Sequence, residues 1–139
     1  MVDVSDKPKT SRSATAEGRV LIKPAHREAI DALPKGDALG IAQIAGIMGA
    51  KKCADLIPLC HTLPLTDVKV ALKTEEEFIR IRATVKTVAE TGVEMEAYTA
   101  VAVAGLTLID MLKGVDPDLT LTNVRLVEKT GGKRDFSRA

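Results

Sequence analysis

Few places in this 139-residue chain carry side chains suited to chemistry. Lys35 stands in Pro-Lys-Gly-Asp, beside a flexible glycine, and reads either as a solvated loop lysine or as a contact to phosphate. Cys60 and His61 sit in DLIPLCHTLPL, where Pro58 and Pro64 restrict the chain on both sides. No further ligands cluster with them, so a metal site is weakly supported. An ordered loop can hold Cys60 and His61 for structure or for binding, and both readings stand. Gly131-Gly132-Lys133 suggests a phosphate loop but fails the Walker pattern: Val127 takes the first glycine position and Arg134 the Ser/Thr position.

The carboxylates divide in the same way. Thr91 and Glu94 have capping-box spacing, which gives Glu94 a structural explanation. Glu96 has none, since it lies on another face of an apolar helix, where an ionised carboxylate is costly. Asp110 and Lys113 either form a surface i,i+3 pair worth a few tenths of a kcal/mol or a tuned acid/base pair. The apolar neighbours Leu108, Ile109, Met111 and Leu112 suggest a part-buried Asp110. Fourteen helical positions put Glu96 and Asp110 about 21 Å apart along the axis. Both reach one small ligand only from different chains.

Several elements must position these residues. Residues 1–13 read as a flexible arm, polar and of mixed charge. A strand is expected from Thr15 to Ile22, then a short helix starting at Pro24. Asp37 caps a second helix through Lys52, with Leu39, Ile44, Ile47 and Met48 at helical spacing. Residues 67–73 and 79–86 alternate with period two around Thr74-Glu75-Glu76, a hairpin pattern. A helix from Gly92 to about Gly114 follows, apolar on nearly every side, for which a partner subunit is the expected cover. A strand from Leu121 to Lys129 closes the chain. The order β-α-α-β-β-α-β gives an α+β, ferredoxin-like split βαβ domain over 1–139, with helices on one face of an antiparallel sheet.

Composition narrows the partners. Twenty Lys and Arg balance nineteen Asp and Glu, for a net charge of +1, which argues against a general nucleic-acid surface. Phe78, Tyr98 and Phe136 are the only aromatics, too few for base stacking. The polar N-terminus lacks a signal-peptide core, and the longest apolar run falls short of a membrane span. The two cysteines fit neither a redox nor a zinc spacing, so a reduced, cytoplasmic setting is expected.

Three blocks then carry a resemblance: KGDALGIAQIAGIMGAKKCADLIPLCHTLPL, TGVEMEAYTAVAVAGLTLIDMLKGVD and VRLVEKTGGKRDF. With MVDVS near the start, they resemble the molybdenum cofactor biosynthesis protein C family, the cyclic pyranopterin monophosphate synthases, across essentially the whole chain. The resemblance implies a homohexamer, a trimer of dimers. It also implies rearrangement of a 3′,8-cyclised dihydro-GTP to cyclic pyranopterin monophosphate with release of diphosphate. It carries the catalytic acid/base onto Asp110, with Lys113 beside it, and the essential loop lysine onto Lys35. Substrate contacts carry onto Leu59, Cys60, His61, Met95 and Glu96, and pocket positions onto Arg12, Lys129 and Asp3. Thr62 stands where the family often has proline, and Gln43 where it has a basic residue.

Such a reaction asks for cations around a triphosphate, from Lys35, Lys113, Lys129 and Arg12, and for proton movers in Asp110, His61 and Glu96. It requires no metal, flavin or redox cofactor, although Mg²⁺ often travels with diphosphate. If the site is composite, mixing Lys35→Ala and Asp110→Asn chains is expected to restore activity. The competing reading is a non-enzymatic ferredoxin-like oligomer that binds an anionic effector.

Overall fold

The computed structural model describes residues 1–138. Strand β1 (Thr10–Leu21) leads to helix α1 (Pro24–Ala29), a 3-10 turn (Ile30–Ala32), helix α2 (Ala38–Lys51) and a single turn, α3 (Cys53–Leu56). The hairpin β2 (Leu65–Thr74) and β3 (Phe78–Ala89), helix α4 (Glu94–Leu112), β4 (Thr120–Thr130) and the short β5 (Phe136–Ser137) complete it. The sheet order is β2-β3-β1-β4-β5 with every pairing antiparallel. β3 therefore separates β1 from β2, which run parallel to each other, as the split βαβ pattern requires.

Alternation sorts the sheet faces. Ile79, Ile81, Ala83 and Val85 on β3 are buried, paired in register with Val20, Gly18, Ala16 and Ala14 on β1. Between them Arg80, Arg82, Thr84 and Lys86 point to the opposite, polar face. On that face the Thr15 and Thr84 hydroxyls meet at 2.8 Å, and Arg125 pairs with Glu17 at 2.8 Å. Each large apolar side chain buried against α4 contributes about 1.5–3 kcal/mol.

Helix α4 is covered mostly from within the chain. The sheet lies beneath it and α2 beside it, burying Ala97, Ala100, Val101, Ala104, Leu108 and Leu112. By length and composition α4 is apolar enough to cross a membrane, but 56% of it is already buried in the fold, as befits a core helix. The chain itself covers much of α4 and leaves Met95, 38% exposed, and Leu106, 59% exposed, open.

The inner face of α2 is made of its smallest residues. Ala38, Ala42, Gly46, Gly49 and Ala50 are buried, while Ile44 and Met48 point outward. A Cβ on Gly49 would lie 2.9 Å from Val103, and one on Gly46 would lie 3.0 Å from the Ala100 carbonyl oxygen. These contacts let the helices approach closely. The helical spacing in α2 is real, but it is split: Leu39 and Ile47 pack against the core, whereas Ile44 and Met48 mark the outer side.

Three sequence expectations change. β1 starts at Thr10, so residues 10–13 of the expected arm are sheet residues, paired with Ala89–Lys86 of β3. Their polarity fits the open end of this central strand, where residues 10–12 pair with β3 but not with β4. The capping box does not form: Val93 is the N-cap of α4 with no side-chain cap bond, and Glu94 turns to Lys129. α1 ends at Ala29 and gives way to the 3-10 turn, anchored by the fully buried His26. His26 Nδ1 accepts from the Lys23 N–H (3.0 Å), so Nε2 donates to the Asp116 carbonyl (2.8 Å), tying α1 to the chain after α4.

Candidate functional site

The candidate residues collect at the two ends of α4. At its N-terminal end lies a cleft of about 360 Å³, lined by Leu59, Cys60, His61, Leu63, Thr91, Gly92, Glu94, Met95 and Glu96. The LCH loop reaches it through successive turns. The Ile57 N–H donates to the Cys53 carbonyl (2.9 Å), the Cys60 N–H to the Ile57 carbonyl (3.2 Å), and Thr87 Oγ1 to the Pro64 carbonyl (2.7 Å). The loop is ordered by these bonds as well as by its prolines.

Glu96 is 4% exposed at the floor of this end of the helix. Burial raises its pKa above the usual carboxylate range, and the nearby Glu94 pushes the same way. A carboxyl held toward its neutral form can donate a proton. His61 Nε2 lies 2.7 Å from the Val2 carbonyl oxygen and so donates to it, bringing Val2, Val4 and Lys7 of the N-terminal segment over the cleft. Asp3 lies beside His61 in a shallower recess, its pKa lowered by the Ser5 N–H, which donates to Oδ1 at 2.9 Å. Cys53, buried beneath, has its thiol pushed up to about 11 by burial, and Thr99 Oγ1 lies 3.4 Å from its sulfur. It is an inert core thiol.

A second cleft, about 230 Å³, opens beside the first and is lined by Arg12, Ser13, Thr91, Gly92, Glu94, Lys129, Thr130, Gly132 and Lys133. Lys129 Nζ donates to Glu94 at 3.0 Å, both side chains being about one-third exposed. Arg12 is fixed by the backbone: Nε donates to the Ala89 carbonyl (3.2 Å) and Nη2 to the Glu90 carbonyl (3.0 Å). The end of β3 and the residue after it thus hold the guanidinium in place without cancelling its charge.

The far end of α4 is different. Asp110 accepts from Lys35 Nζ at 2.7 Å and from Lys113, its neighbour one helical turn on. The three side chains are about half exposed, so the expected part-buried setting of Asp110 is not found. Its apolar sequence neighbours face the core, whereas residue 110 lies on the helix's solvent side. The two ammonium groups, Lys113 first, hold the carboxyl down to about 2. Lys35 arrives because the Gly36 N–H donates to the Leu33 carbonyl (3.0 Å), closing a turn in which Gly36 takes φ +106°.

Lys35 and Asp110 therefore share one chain's cluster, and the expected exchange of activity between Lys35→Ala and Asp110→Asn chains no longer follows. The continuous α4 keeps Glu96 and Asp110 about 21 Å apart. The sequence reading missed Thr91, Gly92 and Lys7 as cleft residues and assigned Glu94 to the helix cap. The unusual density of cations in EKTGGKR was the available signal for Lys133; nothing local linked Glu94 to a strand 35 residues away. Among the described residues no group of three or more His, Cys, Asp or Glu is arranged to hold a metal ion.

The sequence profile of the MoaC family matches residues 1–132. A protein of Streptomyces avermitilis named cyclic pyranopterin monophosphate synthase is 56% identical over 142 residues, covering 100% of this chain and 84% of that protein. One of the same name from Parvibaculum lavamentivorans is 57% identical over 137 residues, 96% of this chain and 86% of its own length. The molybdenum cofactor biosynthesis protein 1 of Drosophila melanogaster is 55% identical over 143 residues, which span 99% of this chain and 25% of that protein.

Proposed function

Since the chain belongs to the MoaC family, we propose that it is a cyclic pyranopterin monophosphate synthase of molybdenum cofactor biosynthesis. It converts 3′,8-cyclised dihydro-GTP to cyclic pyranopterin monophosphate and diphosphate, a lyase reaction driven by general acid/base catalysis. The observation that carries the chemistry is the pairing of one buried carboxyl, Glu96, with a cleft shaped by Leu59, Cys60, His61 and Met95. Family membership favours this reading over a non-enzymatic effector-binding module.

The purine-derived part of the substrate lies against the LCH loop and Met95-Glu96, where Leu59, Leu63 and Met95 offer apolar contact and His61 and Glu96 polar contact. Its phosphates meet Lys129 and Arg12. Glu96, held toward the protonated form, donates a proton during ring opening, and His61 moves protons at the same end. Asp110, kept ionised between Lys113 and Lys35, is placed to take up a proton from the substrate, and the two ammonium groups counter charge that develops on phosphate. The steps are hydrolytic and cyclising and call for no electron carrier.

One chain cannot bring Asp110 to Glu96, so the site joins the Glu96 end of one subunit to the Asp110 end of another. Exposed Ile44, Met48, Leu56 and Leu106 on the helical layer support association of copies into a homohexamer, a trimer of dimers. A cytoplasmic setting belongs to the same proposal. Product detection by mass after supplying the cyclised dihydro-GTP is the test: formation of cyclic pyranopterin monophosphate supports the assignment, and binding without turnover would favour the effector module.

A further inference from the structure

Strand β4 does not alternate evenly. Leu121 stands across from Val20, Leu126 from Ala16 and Lys129 from Ala14, and Val124 packs beside Gly18. Residues 121, 124, 126 and 129 thus follow one another on the helical face of the sheet, where an even strand repeats every second residue. The two longer steps are β-bulges. Asn123 takes φ +54° at the first. At the second, Thr15 faces Glu128 and Ala16 faces Leu126, so Val127 is an extra residue on β4.

The second bulge decides where Lys129 points. Leu121, Val124 and Leu126 pack on the core beneath α4. With even alternation after Leu126, Glu128 would take the next inward place, and Lys129 would join Arg125 on the polar face. The extra Val127 reverses that order, and Lys129 Nζ reaches Glu94 at the start of α4, 3.0 Å away.

Two side chains hold this bulge. Tyr98 Oη accepts from the Leu126 N–H at 2.9 Å. From beside β5, Arg138 takes the carbonyls: its N–H donates to Val127 (2.8 Å) and its Nε to Leu126 (3.0 Å). Tyr98 follows Glu94 by one helical turn, so the two share a face of α4. That face is tied to β4 twice, by Tyr98 to Leu126 before the bulge and by Glu94 to Lys129 after it. The Tyr98 ring is half-buried against the core, which fixes the hydroxyl it carries.

We propose that Tyr98 is a positioning residue for Lys129. Its hydroxyl fixes the bulge, and the bulge keeps the Lys129 ammonium turned toward Glu94 and the substrate. Tyr98 acts through Lys129 and touches no reacting atom. The consequence for turnover rests on the proposed synthase reaction, whereas the hold on Lys129 rests on the geometry of α4 and β4.

Tyr98→Phe keeps the ring and removes the acceptor. In the full chain it is expected to raise KM for the cyclised triphosphate about fivefold, with kcat within about twofold of wild type. Lys129→Gln is expected to raise KM about tenfold, and the double variant no further, because Tyr98 acts only through Lys129. A hydroxyl that serves stability alone multiplies the two effects instead, to about 50-fold. A second readout needs no turnover: brief acetylation of the folded protein with acetic anhydride, with the labelled lysines read by mass spectrometry. Labelling of Lys129 relative to Lys86 on the polar face is expected to rise about threefold in Tyr98→Phe, as the bond to Glu94 loosens. If wild type yields no product but Lys129 labelling still rises, the synthase reading fails and the hold on Lys129 stands. Unchanged Lys129 labelling overturns the proposal, as do KM effects that multiply in the double variant or a loss of kcat with KM unchanged.

Discussion

The two ends of α4 place carboxylates of the same helix in opposite electrostatic settings. Glu96 is buried beside a second acid and is pushed toward its neutral form. Asp110 stands in solvent between two ammonium groups and is held ionised, down to about 2. Burial holds one carboxyl toward its proton-donating form, and paired cations hold the other ionised and able only to accept. The helix also keeps them apart, so neither end is a complete acid/base system alone.

The largest effect that would sharpen this contrast is loss of turnover. Asp110→Asn and Glu96→Gln should each lower kcat/KM about 10²- to 10⁴-fold, as measured by product mass. Asp110→Asn should leave the melting temperature near wild type because its side chain is exposed. If either variant keeps full turnover, its carboxyl has no part in the chemistry.

Next comes pH. Because the folded state raises the pKa of Glu96, stability linked to its protonation is full below the ordinary glutamate value and is lost as pH rises through the raised value. Glu96→Gln should therefore gain stability relative to wild type at pH 8 and gain none at pH 4, by thermal unfolding. The Asp110 pair has the reverse sign: its contribution is present above the usual aspartate range and is lost as pH falls toward about 2. Solvent screening keeps that contribution small. A melting profile for Glu96→Gln parallel to wild type across this range would erase the distinction between the ends.

A smaller effect tests the scaffold of the buried end. Thr87→Val removes the bond from Thr87 Oγ1 to the Pro64 carbonyl and should cost about 1 kcal/mol by denaturant unfolding. It should raise KM through the loosened LCH loop while leaving kcat nearly intact. A fall in kcat alone would place the loop's role elsewhere.

How much of this was legible in the sequence depended on whether the signal was local. Period-two alternation in residues 79–86 placed the inward face of β3 correctly, because alternation is a property of the strand itself. The α+β class and split βαβ order followed from such elements. In α2 the same kind of reading led outward, since close helix packing selects Gly46 and Gly49 and leaves Ile44 and Met48 exposed. Asp110 misled for a related reason: its neighbours in sequence are apolar, but its neighbours in space are Lys35 and solvent. Glu94 had a valid capping spacing, yet a charge-assisted bond to Lys129 prevailed over a cap bond to the backbone. Motif blocks located both ends of the candidate site, and only the fold showed which residues share an end.

Mixing chains tests the joining of the two ends most directly. Glu96→Gln and Asp110→Asn chains, each inactive alone, are co-refolded or co-expressed and isolated as confirmed mixed oligomers, and product formation is measured. A site shared between subunits gives one wild-type site per mixed pair, so activity returns to about one quarter of wild type in a statistical mixture. No recovery in confirmed mixed oligomers would contradict the shared site.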